Sequence, residues 1–186
     1  TNIEGAKILV PQIFYDERGF FLETYQTIKY AEAGILENFV QDNHAHSKAN
    51  VLRGFHFQNQ NQQAQLVSVS SGSIQLVLLD VRVGSPSFAS FRVEELTANN
   101  HHQIYMPPGV ASAYYVTGEH ANVHYKVTQF YDPLVEGGVL WSDPNIGVPW
   151  LTEVPIISER DANYPKLCDI SLHLLPTYDG IFISDV

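Results

Sequence analysis

The sequence predicts an all-β protein of the sandwich or jelly-roll class with one short peripheral helix, and three features carry that prediction. Ten Tyr, 10 Phe and many β-branched residues fall in short runs, the composition of pleated, half-buried strands. Twelve Gly and 10 Pro punctuate those runs, which favours turns over long helices. The runs succeed one another without long helical patterns between them, so alternating βαβ units are not expected.

Each element has its own reason. Asp16 to Glu23 (DERGFFLE) reads as a turn entering a strand. Thr27 to Ala33 (TIKYAEA) is the helical candidate, closed by Gly34, because glycine adopts the left-handed conformation that ends a helix at little cost. Gln58 to Gln65 (QNQNQQAQ) is a solvated loop between strands. Leu66 to Ser70 and Ile74 to Val81 are apolar runs separated by Ser71-Gly72-Ser73, which predicts a hairpin with the glycine at positive φ. Val93 to Leu96, Gln103 to Met106, Ala113 to Val116 and Val123 to Tyr131 predict four more strands. From Pro133 onward the chain breaks into Pro- and Gly-punctuated loops packed by Trp141 and Trp150. No linker or repeat divides residues 1–186, so one domain is expected.

Composition narrows the function. At 45% hydrophobic and 16% charged the chain can bury a sizeable core, and a formal charge of -10 leaves no basic footprint for nucleic acid or an anionic membrane. The single Cys168 cannot form an internal disulfide, and no charged-then-apolar leader opens at Thr1, so a reducing cytoplasm is expected. Apolar stretches such as Leu76 to Leu79 fall far short of the ~20 residues that span a bilayer.

Eight histidines invite a metal reading, and His44-Ala45-His46 has the spacing that puts two imidazoles on one face of a strand. A β-barrel metal site needs more: Asn50 stands where a carboxylate would complete the set, and Phe57-Gln58 follow His56 where another ligand would be. No metal is therefore expected. His101-His102 reads as turn decoration. In Asp16 to Glu23, Arg18 can pair bidentately with a phosphate while Phe21 and Glu23 hold a base or ribose, although an ordinary turn explains the residues equally well. His56 lies between two large aromatics, three residues after Arg53, and a hydrogen-bonded core histidine is an equally ordinary reading of that string.

Five blocks change the balance together: Gln41-Asp42-Asn43, Val51 to Gln58 (VLRGFHFQ), Met106 to Ala111 (MPPGVA), Tyr125 to Tyr131 (YKVTQFY) and Ser158 to Asp161 (SERD). In order and spacing the chain resembles the dTDP-4-dehydrorhamnose 3,5-epimerase family from about Val10 to Pro165. The resemblance implies a cupin-type jelly-roll barrel without metal or redox cofactor, a homodimer, and a nucleotide-linked 4-keto-6-deoxyhexose as substrate. By position it implies His56 as general base, Asp161 as the carboxylate that orients it and Tyr125 as the opposing general acid. It also places Arg18, Glu23, Gln41, Asn43, Arg53, Glu136 and Arg160 around the nucleotide diphosphate and sugar, and Phe21 joins this binding set from the reading of Asp16 to Glu23. In a strand Val123, Tyr125 and Val127 share one face, so Tyr125 can point into a barrel, as a core tyrosine would too.

Two positions depart from the family pattern. Gln65 stands where the resemblance implies an active-site lysine, and Ser112 where a histidine follows the Pro-Pro-Gly turn. No Lys or Arg lies between Arg53 and Arg82, so a small register shift does not restore the charge. The expected activity is inversion at C3 and/or C5 of a nucleotide-linked 4-keto sugar, in deoxysugar or O-antigen biosynthesis. A single-centre epimerase, a keto-isomerase on a sugar linked to dTDP, CDP or GDP, a non-catalytic nucleotide-sugar binder and a metal cupin stay open beside it.

Overall fold

A computed structural model describes residues 2–178. Its strands are β1 (Lys7–Leu9), β2 (Ile13–Asp16), β3 (Gly19–Leu22), β4 (Gln41–Lys48), β5 (Leu52–Gln58), β6 (Gln65–Asp80), β7 (Phe91–Thr97), β8 (Gln103–Met106), β9 (Val110–Val127) and β10 (Glu136–Gly138). Two short α-helices, α1 (Thr27–Glu32) and α2 (Glu159–Ala162), and two 3-10 turns complete the fold. α1 follows the expectation: Gln26 caps its start, accepting from the Lys29 N–H, and Gly34 at φ +78° turns the chain away.

β6 and β9, 16 and 18 residues long, run antiparallel along their whole length and form the spine of an eight-stranded sheet. β8 and then β1 extend the sheet from the start of β6, and β7 pairs with its second half. On the free edge of β9, β5 pairs near its start and β4 near its end, while β10 adds to β5. The sheet thus splits into two layers that curl over an interior, the jelly roll.

The expected hairpin at Ser71-Gly72-Ser73 is absent. The chain runs straight on as β6, and the glycine serves a pair of register shifts against β9, between Val69 and Ser71 and between Gly72 and Ile74. Gly72 does adopt φ +77°, and a Cβ there would collide with the His120 carbonyl. The shifts exchange the two faces of the strand. Before them odd-numbered Val67 and Val69 pack in the inner core; after them even-numbered Ile74, Leu76 and Leu78 do. β9 compensates across the same bend, with Val110 and Val116 giving way to Ala121 and Val123 in that core. The predicted strands Ala113–Val116 and Val123–Tyr131 are accordingly one strand, which ends at Val127.

Val77, Leu79, Ala111 and Ala113, on the opposite faces, are buried with Phe55 and Phe57 under the C-terminal segment, where Trp150 donates to the Trp141 carbonyl (2.8 Å). Burial on both faces is why Ile74 to Val81 reads as an unbroken apolar run. The predicted C-terminal loops hold one further strand, β10, which Gly137 and Gly138 permit. A Cβ at Gly137 would strike the Phe57 ring and one at Gly138 the Tyr164 ring.

Candidate active site

A cavity of about 470 Å³ opens inside the barrel. β4 contributes Gln41 and Asn43, β5 Arg53 and His56, β6 Gln65, and β9 Ser112, Tyr114 and Tyr125. Glu136 from β10 and Arg160 from α2 close its rim. The exchange of faces at the bend brings residues of both parities to one wall: Ser112 and Tyr114 from the first half of β9, Val123, Tyr125 and Val127 from the second.

Asp161 is 3% exposed and sits in α2, whose first turn is capped by Ser158 Oγ accepting from the Asp161 N–H at 3.1 Å. Its Oδ1 lies 2.9 Å from His56 Nε2, and its Oδ2 accepts from the Gly54 N–H at 3.1 Å. Gly54, at φ +110°, crosses so close to β9 that a Cβ would meet the Ser112 carbonyl. Burial alone would push the Asp161 carboxyl up; the hydrogen bond and charge of His56, with donors from Gly54 and Ser158, outweigh it and hold the carboxyl at about 2. Asp161 is therefore a carboxylate at neutral pH, and Nε2 carries the proton it accepts. Nδ1, which has no hydrogen-bond partner among the described residues, is the nitrogen left to take a proton.

Tyr125 faces the same cavity. Burial pushes its hydroxyl up, as do the nearby Tyr114 and Glu136, while the Arg53 charge pulls it down. It stays protonated at neutral pH, the state an acid requires. Arg160 donates to Glu136 at 2.5 Å and lies 3.4 Å from Asp161 and 3.3 Å from His56 Nε2. Tyr131 donates to Glu136 at 2.9 Å, and Tyr164 stands edge-on to the His56 ring with centroids 5.9 Å apart. Burial pushes the Tyr164 hydroxyl up to about 12.

These ten residues of the sequence prediction thus come together: His56, Asp161, Tyr125, Gln41, Asn43, Arg53, Gln65, Ser112, Glu136 and Arg160. Arg18, Phe21 and Glu23 do not. They lie on or just after the β2–β3 hairpin, where the Arg18 side chain, 85% exposed, pairs with Asp16 and Glu23 pairs with Lys29. Arg18 consequently does not join Arg53 and Arg160 at the cavity within one chain. Tyr114, Tyr131 and Tyr164 escaped the sequence reading; the Gly137-Gly138 doublet was the available signal for close packing beside His56.

The histidine pair His44 and His46 faces outward, away from the cavity. The rings stack on His124 and His120 across the strand pair, with centroids 4.2 and 5.8 Å apart. Among the described residues no three His, Cys, Asp or Glu side chains gather as a metal-ligand group. No helix among them is long and apolar enough to cross a membrane.

The family model for dTDP-4-dehydrorhamnose 3,5-epimerase matches residues 1–169. The chain belongs to the dTDP-4-dehydrorhamnose 3,5-epimerase family. It is 42% identical over 170 residues to the enzyme of that name from Salmonella typhimurium, covering 90% of this chain and 93% of that one. Against the Neisseria gonorrhoeae enzyme it is 41% identical over 87% of its own length but spans only 49% of that relative. Among solved structures, a dTDP-6-deoxy-D-glucose-3,5-epimerase from Legionella pneumophila in complex with dTDP-4-keto-L-rhamnose superposes with a TM-score of 0.93. It is 40% identical, with 97% of each chain covered. The cupin-type jelly roll expected of this epimerase family is the observed fold.

Proposed function

We propose that the protein inverts C3 and/or C5 of a dTDP-linked 4-keto-6-deoxyhexose by proton transfer between His56, Tyr125 and solvent. The observation that carries this reading is His56, backed by the Asp161 carboxylate at 2.9 Å and facing the same cavity as Tyr125. A C–H bond beside a carbonyl is acidic enough for such a base. Nδ1 of His56 takes the proton, the C–H electron pair moves into the C–C bond, and the carbonyl electrons move onto O4 as an enolate. Tyr125 then gives its proton to the carbon and the carbonyl reforms. Asp161 meets the positive charge that grows on the imidazole.

The oxyanion stage is where this chain differs from its relatives' expected pattern. Gln65 lines the cavity without a hydrogen-bond partner among the described residues, so its amide N–H is available to O4, with Ser112 across the wall. A neutral donor stabilises the enolate less than an ammonium; loss of a preorganised donor costs ~10²–10³ in rate. Arg53 supplies free positive charge to the anionic ligand, while Arg160, paired with Glu136 and Asp161, offers its remaining N–H donors at the rim.

We further infer a homodimer. The β2–β3 hairpin exposes Phe14, Tyr15, Phe20 and Phe21, an apolar surface that a second copy would cover. The same pairing would bring the hairpin's Arg18, Phe21 and Glu23 to the cavity of the other copy. Mixing inactive Arg18→Ala and His56→Asn proteins should then restore activity in hybrid dimers, and no recovery would exclude a shared site.

Deuterium wash-in tests the reaction itself. Incubation of the dTDP-linked 4-keto sugar in D₂O should place label at C3, C5 or both by NMR. Label at one centre identifies a single-centre epimerase, and label at neither rejects proton-transfer chemistry on this substrate.

A further inference from the structure

Two cations face the cavity, and they are held differently. Arg160 is engaged by Glu136 and Asp161, so its charge is offset by two carboxylates. Arg53 has no carboxylate within ion-pair distance among the described residues, and its one hydrogen bond there runs from Nε to Ser47 Oγ at 3.1 Å. Ser47 is 2% exposed, and its hydroxyl is bonded in turn to the Tyr114 hydroxyl at 3.0 Å. Tyr114 stands directly opposite Arg53 in the β5–β9 pairing. A buried hydroxyl fixed from both sides therefore anchors the one uncompensated guanidinium in the cavity.

Resting on the epimerase reading, we propose that Tyr114 is a positioning residue for the proton-donation step: through Ser47 it fixes Arg53 so that the free charge favours the tyrosinate left when Tyr125 gives up its proton. The energetic logic is local. When the Tyr125 O–H bond breaks toward the substrate carbon, a negative oxygen is left in a half-buried wall where burial opposes it. Tyr114 and Glu136 oppose it as well, and Arg53 is the charge that favours it. A guanidinium free to swing toward the diphosphate would lose much of that effect. In a cavity whose Gln65 brings no charge, orientation of Arg53 decides whether the acid is effective. Arg53 in this arrangement serves the sugar end of the ligand, and Tyr114, which lines the same cavity, acts on the proton donor through Ser47 and Arg53.

The test combines Ser47→Ala, Ser47→Thr and Tyr114→Phe. Ser47→Ala and Tyr114→Phe should each lower kcat for epimerisation by about 5–10-fold with KM within twofold, and the double variant should lose no more than either alone. Both should move the basic limb of the pH profile to higher pH, because the Tyr125 hydroxyl loses its oriented cation. Removal of a merely repulsive Tyr114 would move it lower. Ser47→Thr, which keeps Oγ, should restore both quantities. A rise in KM with kcat unchanged, additive losses, or an unmoved basic limb would overturn the proposal. The same shift can be read without turnover by NMR titration of ¹³C-labelled tyrosine, with the Tyr125 signal assigned by its loss in Tyr125→Phe. An inert wild type with a shifted Tyr125 titration would reject the epimerase reading and leave the positioning role standing. An active wild type with no shift would do the reverse.

Discussion

Asp161→Asn isolates the carboxylate that faces His56 while keeping the shape of the side chain. In the folded protein Asp161 is moved from an ordinary 3.8 to about 2 by donors that outweigh its burial. At ~1.36 kcal/mol per pH unit, that difference is about 2 kcal/mol in favour of the anion. The largest share comes from His56, and it is available to the reaction only as the ring becomes positively charged. An amide at the same place accepts a hydrogen bond from Nε2 but supplies no charge. Solvent exchange into the substrate should therefore fall by roughly 10–100-fold, the scale on which ~1.4 kcal/mol is a factor of ten. Substrate binding should change little, since Asp161 lies behind the ring and outside the cavity lining.

Stability gives an independent reading of the same carboxylate. Its folded value is depressed, so the stabilisation is complete above the unfolded value near 4 and is lost as pH falls toward 2. The gap between wild type and Asp161→Asn should be about 2 kcal/mol at pH 6 and close by pH 2. Deuterium wash-in measured by NMR and urea unfolding at three pH values check both arms. Wild-type exchange in the variant, or losses from Asp161→Asn and His56→Asn that simply add, would refute the dyad.

Other substitutions probe the remaining parts. Tyr125→Phe should leave exchange of the abstracted proton within a few-fold of wild type while lowering inversion by about 10²-fold, measured by parallel isotope and product NMR. Gln65→Lys should raise turnover of the dTDP-linked 4-keto sugar by about 10-fold or more, because a cation replaces a neutral donor at the enolate oxygen; an unchanged rate would mean that another group already fills that role. Gly72→Ala should cost about 2–4 kcal/mol in a denaturant melt, since its Cβ meets the His120 carbonyl at a strained φ, and a cost below 1 kcal/mol would show that β6 can relax.

Legibility followed the range of each determinant. Gln103–Met106 was read with its observed bounds, and the helix from Thr27 nearly so, because local pattern and a closing glycine define them. Ser71-Gly72-Ser73 misled for a physical reason. A glycine at positive φ between apolar runs serves a tight turn or a bulge, and only the facing strand distinguishes them. Here β9 is long enough to pair with both runs, and its own polar stretch Thr117 to His120 lies across from the bend, so the chain continues. The candidate site was legible where motif blocks carried it. The hydroxyl pair that holds Arg53 was not: Ser47 and Tyr114 lie 67 residues apart, and nothing local to either indicates their contact.

Charge distribution explains how such a cavity works inside an acidic protein. Asp161 is buried and turned toward His56, Glu136 is turned toward Arg160 and Tyr131, and both carboxylates are thereby committed to named partners. The cavity wall itself presents neutral amides and hydroxyls from Gln41, Asn43, Gln65 and Ser112, with Arg53 as the free charge. A dianionic diphosphate or a growing enolate therefore meets donors and one unspent cation, and meets no free carboxylate, although the whole chain carries a formal charge of -10. The pairing of these two carboxylates with named partners leaves Arg53 as the free charge facing the cavity, whatever the sign of the whole chain. Glu136→Gln follows from this as the variant that should release Arg160, strengthen nucleotide binding and disturb the His56–Asp161 geometry at once.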